Sequence, residues 1–352
     1  MLRVGSRLMT ATAVGYALAL LLLALVWLAA PELTWWVRLS AIFGIWLYAP
    51  LPLVALLAAA RPNPPRIAAA ALGLALFAWQ FGPGLLPHPT PLGQSGRPQG
   101  VALRAMTYNQ LYSNTDMPQI LAAIVAQRPD IVAMQELPYA SREALSRDLI
   151  REYPYQLYSD DGASYELGML SRYPLRALPA DPVLPAIVAV ATTPAGDVTV
   201  VNLHLSAPRI ETSPLRLGYW LNVPSAYATY FRDMQGPRLL ALLDATSGPL
   251  IVLGDHNTSD REPLYRQLAA RLTDAYRATS WGPGYTFPNH ISLGIAGTPV
   301  RPPPLVRIDY VWSRDGVAPA AARVVCQSGG SDHCMVVADL VVTGTAAHIS
   351  LP

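Results

Sequence analysis

Several apolar runs in the second two-thirds of the chain end in, or carry, a polar residue that a hydrophobic core would not select. Asn109 follows AMTY, Glu136 ends DIVAMQ, and His204 interrupts VVNL-L. Asp255 and Asn257 close PLIVLG, Asp309 sits inside VRI-YVW, and Asp332 and His333 follow a Gly-Gly-Ser turn. Singly, each has an ordinary structural explanation. Asp and Asn form turns at strand ends, a lone His in an apolar strand is a hydrogen-bonded core residue, and a Glu after a strand is solvated. Together they make a set of carboxylates, amides and imidazoles without a thiolate. Such a set suits a hard, oxygen-seeking cation and phosphate rather than zinc. Strand ends are also where a rigid scaffold presents reactive groups.

Other chemistry is excluded by composition. All 25 basic residues are Arg, so neither a Schiff-base lysine nor a phosphate-loop lysine is available. The two cysteines, Cys326 and Cys334, are too few for a disulfide scaffold or a four-Cys zinc site. They bracket Ser331-Asp332-His333. Outside the cytoplasm they would pair as a disulfide; the alternative is two buried thiols in adjacent strands.

The elements that must position these residues follow from periodicity. VALRAMTY (101–108), DIVAMQE (130–136), ELGMLSR (166–172), AIVAVAT (186–192), VTVVNLHL (198–205), PLIVLGD (249–255), LVRIDYVW (305–312) and CMVVADLVV (334–342) read as strands. Helical spacing of Ile120, Leu121, Ile124 and Val125 predicts a helix over 118–127, with Asn114, Thr115 and Asp116 as candidate caps. Further helices are expected near 141–152 and 226–246. Strand–helix–strand units flanking strand clusters imply two sheets with helices outside them. No internal repeat is present.

The first hundred residues differ in kind. The chain is 352 residues long, 52% hydrophobic and only 14% charged, against roughly 25% charged in ordinary soluble domains. Uncharged runs lie between Arg7 and Glu32, between Arg38 and Arg61, and after Arg66. Each has the ~20 apolar residues needed to cross ~30 Å of hydrocarbon, which predicts spans near 9–30, 39–60 and 67–86. Trp27, Trp35, Trp36 and Trp79 stand near the span ends, as an aromatic belt does. Arg3, Arg7, Arg61 and Arg66 place the N-terminus and the second loop in the cytoplasm, against Arg38 alone on the other side. Everything after residue 87 is then outside. A cleaved first span would give the same result. The expected organisation is an anchor over 1–87, a Pro/Gly-rich linker over 88–100, a catalytic domain over 101–345 and a tail over 346–352.

The ordered pieces resemble the endonuclease/exonuclease/phosphatase superfamily. They are TYN (107–109), QE (135–136), GMLSRYP (168–174), NLHL (202–205), GDHN (254–257), RIDYVWS (307–313) and SDH (331–333). They stand in the family's order and span the domain. The resemblance implies a DNase I-like four-layer α/β/β/α sandwich, here preceded by three transmembrane helices. It implies hydrolysis of phosphate esters with Mg²⁺ or Mn²⁺, with Glu136 binding the metal, Asn109 beside it and Asp332 adding a contact. His333 would be the general base, oriented by Asp309. Asp255 would position or deprotonate the nucleophile, and Asn257 and His204 would donate to phosphoryl oxygens. Asn109 would also orient Glu136. His256 departs from the family's usual Phe, as a packing substitute or as a group that tunes the site.

Three features bear on the substrate. Residues 101–352 carry 19 Arg and 22 acids, which disfavours an extended polyanion such as nucleic acid. The domain is tethered to a bilayer and faces outward. The stretch LGYWLNVPSAYATYF (217–231) carries Tyr219, Trp220, Tyr227 and Tyr230, which would touch lipid or pack on the protein itself. A phosphodiester of a lipid or other envelope-associated substrate is the leading expectation. An extracytoplasmic nuclease and an inactive membrane-anchored scaffold are the alternatives, the last disfavoured by retention of the whole polar set. His290 and His348 have no partners identifiable from sequence.

Overall fold

The computed structural model describes residues 2–87, 100–159, 167–214, 222–290, 293–295, 298–300, 302–343 and 348–349. The expected linker lies almost wholly outside the described residues, as do Tyr219, Trp220 and most of the expected tail. The chain forms two compact units, one of residues 1–86 with 209–228, the other of residues 87–208 with 229–352.

The first unit contains α1 (Leu2–Ala29), α2 (Trp35–Ile42), a 3-10 turn (Gly44–Tyr48), α3 (Leu51–Ala60) and α4 (Pro64–Leu85). Within it, Gly5–Ala29 of α1 and all of α4 are long and apolar enough to cross a membrane. The middle run is not the straight helix expected over 39–60. Its two parts, Trp35–Ile42 and Gly44–Ala60, meet at 73°. One local feature lies at the break. Trp27 packs so closely on Gly44 that a Cβ there would lie 2.7 Å from its ring.

Helices α1 and α4 run in the same direction. The Arg66 side chain, near the start of α4, donates to Ser6 O (2.7 Å) and Thr10 Oγ1 (3.0 Å), near the start of α1. Ala13 and Ala17 cluster with Ala69, and Leu20 and Ala24 with Leu76 and Phe81 further along. The unit is completed by a hairpin of β8 (Arg209–Pro214) and β9 (Asn222–Ala228), numbered within the chain-wide order that follows.

The second unit begins with β1 (Val101–Asn109), α5 (Met117–Gln127), β2 (Ile131–Gln135), α6 (Tyr139–Asp148), β3 (Tyr155–Tyr158), β4 (Gly168–Ser171), β5 (Leu175–Leu178), β6 (Ala186–Thr193) and β7 (Gly196–His204). After the hairpin come α7 (Tyr230–Ala245), β10 (Thr246–Ser247), β11 (Leu250–Asp255), α8 (Pro263–Ala269), β12 (Thr273–Asp274) and α9 (Ala275–Thr279). The chain ends with β13 (Leu293–Ile295), β14 (Thr298–Val300), β15 (Asp309–Arg314), β16 (Val317–Val325), β17 (Met335–Val342) and β18 (His348–Ile349). One six-stranded sheet has the order β16-β17-β1-β2-β4-β3 and the other β12-β15-β11-β7-β6-β5.

Period-2 alternation builds four layers from these strands. Leu103, Ala105, Ile131 and Ala133 of the first sheet face Val198, Val200, Ile251 and Leu253 of the second, with small Ala side chains letting the sheets close. Their neighbours point the other way. Met106, Val132 and Met134 pack on Ile120 and Ile124 of α5 and Leu145 of α6. Val201, Val252 and Trp312 pack on Leu239 and Leu243 of α7 and Leu268 of α8. This is the DNase I-like α/β/β/α sandwich.

Three of the boundaries that differ from expectation bear on the fold. The helix expected from 226 starts at Tyr230, because 226–228 belong to β9. The strand expected from 305 starts at Asp309; before it only Val306 is bridged, to Phe287. Leu149 ends α6, expected to reach 152. Cys326 and Cys334 are joined as a disulfide around the 331–333 turn.

Candidate active site

Strand direction gathers the polar residues. β1 and β2 run parallel and end together, with Asn109 opposite Gln135. β7 and β11 also run parallel, with His204 opposite Asp255, and antiparallel β15 begins with Asp309 opposite Asp255. β17 begins at Met335, just after His333.

Asn109 is the hinge of the arrangement. Its Nδ2 donates to Glu136 Oε1 (3.0 Å) and to Asp255 Oδ2 (3.1 Å), joining the two sheets. Its Oδ1 accepts the Leu111 N–H, which fixes the amide's orientation. Glu136 follows β2 with φ +53°, a conformation few non-Gly residues adopt without support. The support is visible: Glu136 Oε2 accepts the Tyr112 N–H at 3.0 Å. Asp255 follows Gly254, whose φ is +145° and where a Cβ would lie 1.9 Å from Leu203 O, so only Gly allows β11 this close to β7. Asp255 Oδ1 accepts the Asn257 N–H (2.8 Å), and Asn257 Nδ2 donates to Leu205 O (2.8 Å).

The two imidazoles differ. His333 Nδ1 is hydrogen-bonded to Asp309 Oδ2 at 3.0 Å, and its Nε2 lies 3.8 Å from Asp255 Oδ2. Burial lowers the affinity of this ring for a proton, but Asp309, Asp255 and Asp332 outweigh it and push the pKa up to about 10. His204 Nε2 stands 3.6 Å from Asp255 Oδ2 and 3.9 Å from Glu136 Oε1. Burial dominates there and draws its pKa down to about 4. Burial, with the charge of Asp309, pushes the Asp255 carboxyl up to about 8. The site therefore holds a proton-rich imidazole, a neutral imidazole and a carboxyl of raised proton affinity, which is the dispersion that acid–base chemistry needs.

The donor set fits a divalent cation. Oδ1 of Asp332 and Oδ1 of Asp309 are buried without a hydrogen-bond partner among the described residues. A buried carboxylate oxygen left so is costly unless a cation or proton meets it. Burial raises the pKa of Asp332, and so does the nearby charge of Glu136, while His333 lowers it. Asp255, Asp309 and His333 each also offer a ligand atom, all within 4.8 Å of one another.

Several supports carry no role in the sequence reading. Ser331 Oγ donates to Asn109 O (2.6 Å) and accepts the His333 N–H (3.0 Å), locking the base to β1. Gln135 Nε2 donates to Asn202 Oδ1 (2.7 Å), and Asn202 Nδ2 to Met134 O (3.0 Å) and Gly168 O (2.8 Å), which braces β2 from the opposite sheet. Asn289 N–H donates to Asp332 O (2.6 Å), and its Nδ2 to Cys326 O (3.0 Å) and Ser328 Oγ (2.9 Å), shaping the disulfide-closed turn. Gln135, Asn202 and Ser331 lie inside the motifs; Asn289 has no sequence mark. His256 is fully buried, its Nδ1 3.0 Å from Gly254 O and its ring 5.1 Å from that of Tyr310, so it packs behind the site rather than facing it.

No curated protein sequence matches the chain. Among solved structures, it is similar to an endonuclease/exonuclease/phosphatase from Bacteroides vulgatus, at 18% identity and a TM-score of 0.50, covering 69% of this chain and 99% of that one. It is also similar to a 3′ phosphatase from Neisseria bound to a product DNA hairpin, at 18% identity and a TM-score of 0.51, covering 67% and 98%. The model of the endonuclease/exonuclease/phosphatase family matches residues 106–333, from the middle of β1 to His333 itself, and the chain belongs to that family.

Proposed function

We propose that the protein is a membrane-anchored, divalent-metal-dependent phosphoesterase that hydrolyses a phosphodiester by attack of water on phosphorus. The observation that carries this reading is the His333–Asp309 hydrogen bond beside the Asn109–Glu136–Asp255 chain. It sets an imidazole base and its orienting carboxylate next to a cluster of oxygen donors.

Glu136, Asn109 and Asp332 would hold the metal, with Mg²⁺ or Mn²⁺ matching their chemistry. The metal supplies charge neutralisation at the phosphate and the leaving oxygen. His333 takes the proton of the attacking water at Nε2, and Asp309 fixes its Nδ1–H toward the protein. Asp255, held by Asn109 and Asn257, positions the water or shares its proton. His204 and Asn257 donate to phosphoryl oxygens as negative charge grows; a neutral His204 suits a donor that must not trap the product.

The substrate reading favours a lipid or other envelope-associated phosphodiester. It rests on the acidic charge balance of residues 101–352 and on the apolar helices. The co-direction of α1 and α4 supports a third crossing: if both helices span, the bent segment between them brings the chain back across. Three crossings with the N-terminus in the cytoplasm would leave residues 87–352 extracytoplasmic. The Cys326–Cys334 disulfide suits an oxidising, extracytoplasmic side. The DNA-bound Neisseria relative keeps an extracytoplasmic nuclease as the second reading.

The test is hydrolysis by the purified full-length protein with Mg²⁺, comparing lipid phosphodiesters with single- and double-stranded DNA. Activity is expected on the former, abolished by EDTA and restored by Mg²⁺ or Mn²⁺. Glu136→Gln keeps the shape, removes the anionic donor and should lose most of the activity. Full activity in EDTA would reject the metal, and preference for DNA would reject the lipid reading.

A further inference from the structure

The β8–β9 hairpin interrupts the catalytic chain at a telling place. Among the described residues it joins neither six-stranded sheet, and its two strands pair with each other. It belongs instead to the compact unit of the membrane helices. There β9 packs on α2, with the Arg38 guanidinium 5.5 Å from the centre of the Tyr227 ring. Tyr227 is 6% exposed and Val37 of α2 is fully buried, so the hairpin is seated on its helix.

Both feet of the hairpin are wired to the reactive residues. The first foot leaves His204 through only four residues, Leu205–Pro208. Leu205 donates its N–H to Asp255 O (3.0 Å) and accepts from Asn257 Nδ2 (2.8 Å). The second foot enters α7 at Tyr230, directly after Thr229. On that helix Arg232 donates to the Asn257 carbonyl and pairs with Glu262, with both side chains buried. Gln235 then ties the feet together, accepting from the Ser206 N–H (2.8 Å) and donating to Ser206 Oγ (3.0 Å). The hairpin is thus hydrogen-bonded at its two feet and carries, at Tyr227 opposite Ile210, a ring packed beside Arg38 of α2. The first turn of α7 also exposes Tyr230 (69%), Phe231 (66%) and Met234 (47%). Such side chains suit a membrane interface, where aromatic rings are stable.

We propose that the β8–β9 hairpin is a clasp by which the catalytic chain grips its own anchor through β9 on α2, confining the enzyme to phosphodiesters carried by lipids in the plane of the membrane. The proposal rests on the phosphoesterase reading for its substrate consequence, but the clasp itself does not.

The experiment uses the full chain in lipid nanodiscs, as wild type, Arg38→Ala and Tyr227→Ala. Two readouts are taken. The first is hydrogen exchange of the amides of residues 222–228. The second is hydrolysis of a soluble aryl phosphodiester and of a phospholipid in the same disc. Both variants are expected to speed exchange in β9 at least tenfold. They should leave the soluble diester within twofold of wild type and lower lipid hydrolysis tenfold or more. Unchanged exchange overturns the clasp whatever the enzyme does. Faster exchange with equal effects on both substrates overturns the confinement. Wild-type activity on the soluble diester and on oligonucleotides but not on lipid overturns the lipid substrate. If neither diester is cleaved, the phosphoesterase reading fails and exchange alone decides the clasp.

Discussion

At the scale of the residue, His333 is surrounded by acids that raise its proton affinity while burial opposes them. The proposed base must be neutral to accept a proton, so the rate should fall as pH drops through its pKa. A metal bound among the carboxylates offsets part of their charge and draws that pKa back toward neutrality. The acid limb should therefore lie at or above the ~6.5 of a free imidazole. Asp309→Asn keeps a partner for Nδ1 but removes the closest stabilising charge, and should move the acid limb downward. It should cost less than His333→Ala, for which the loss is roughly 10²–10⁴-fold. A pH–rate profile of wild type and Asp309→Asn on one soluble phosphodiester is the measurement. An unmoved limb would remove Asp309 as the orienting partner. These residues were legible because strand ends are where a chain of alternating apolar residues has no structural need for acid or imidazole. Asn289 was not: a buried amide that bonds only backbone and Ser328 resembles any loop Asn until the turn it shapes is seen.

At the scale of the element, the central strands were legible because each is apolar on both faces, one against the other sheet and one against a helix. β16 escaped because its middle is half exposed and Ala-rich, which dilutes the pattern. The clasp hairpin escaped because Tyr227 and the apolar start of α7 run on as one apolar stretch, so β9 was absorbed into a helix. His256 shows how an element tolerates a polar substitute. It follows β11 and lies with its ring 5.1 Å from Tyr310 and 6.2 Å from Trp312, and burial holds its pKa near 4. The unfolded chain protonates at ~6.5, so stability is complete above that value and declines as pH falls toward 4. The slope approaches about 1.4 kcal/mol per unit, or about 2 kcal/mol by pH 5. His256→Phe keeps the packing and removes this dependence, at the cost of the bond to Gly254 O, about 1 kcal/mol. Thermal unfolding at pH 7.5 and pH 5 should show the variant gaining on wild type as pH falls. Parallel losses in both proteins would reject a buried neutral His256.

At the scale of the whole molecule, the sequence supplied three apolar runs and a bias of Arg, while the helices supply a direction. Ser6 and Thr10 meet Arg66, and Ala24 shares a cluster with Phe81, so α1 and α4 run in the same direction. The bent middle segment, with its 73° break, would be taken for a re-entrant loop if judged by straightness alone. If both helices span, a re-entrant loop cannot deliver the chain from the end of α1 to the start of a parallel α4, and the proposed topology has the segment cross. The alternative of two crossings puts the catalytic residues on the side of the N-terminus, and the two topologies are separable with thiol reagents. The described chain has no free cysteine, so an introduced thiol is labelled without background. Trp281, 71% exposed in the catalytic unit, and Arg61, exposed between α3 and α4, are suitable positions. In cells with any outer barrier opened but the inner membrane intact, an impermeant maleimide should label Trp281→Cys at once. It should reach Arg61→Cys only after that membrane is lysed. Early labelling at Arg61→Cys with protection at Trp281→Cys is the outcome of two crossings or of a reversed orientation, and either would move the proposed substrate to the cytoplasmic face. Protection of both would mean that α4 does not cross.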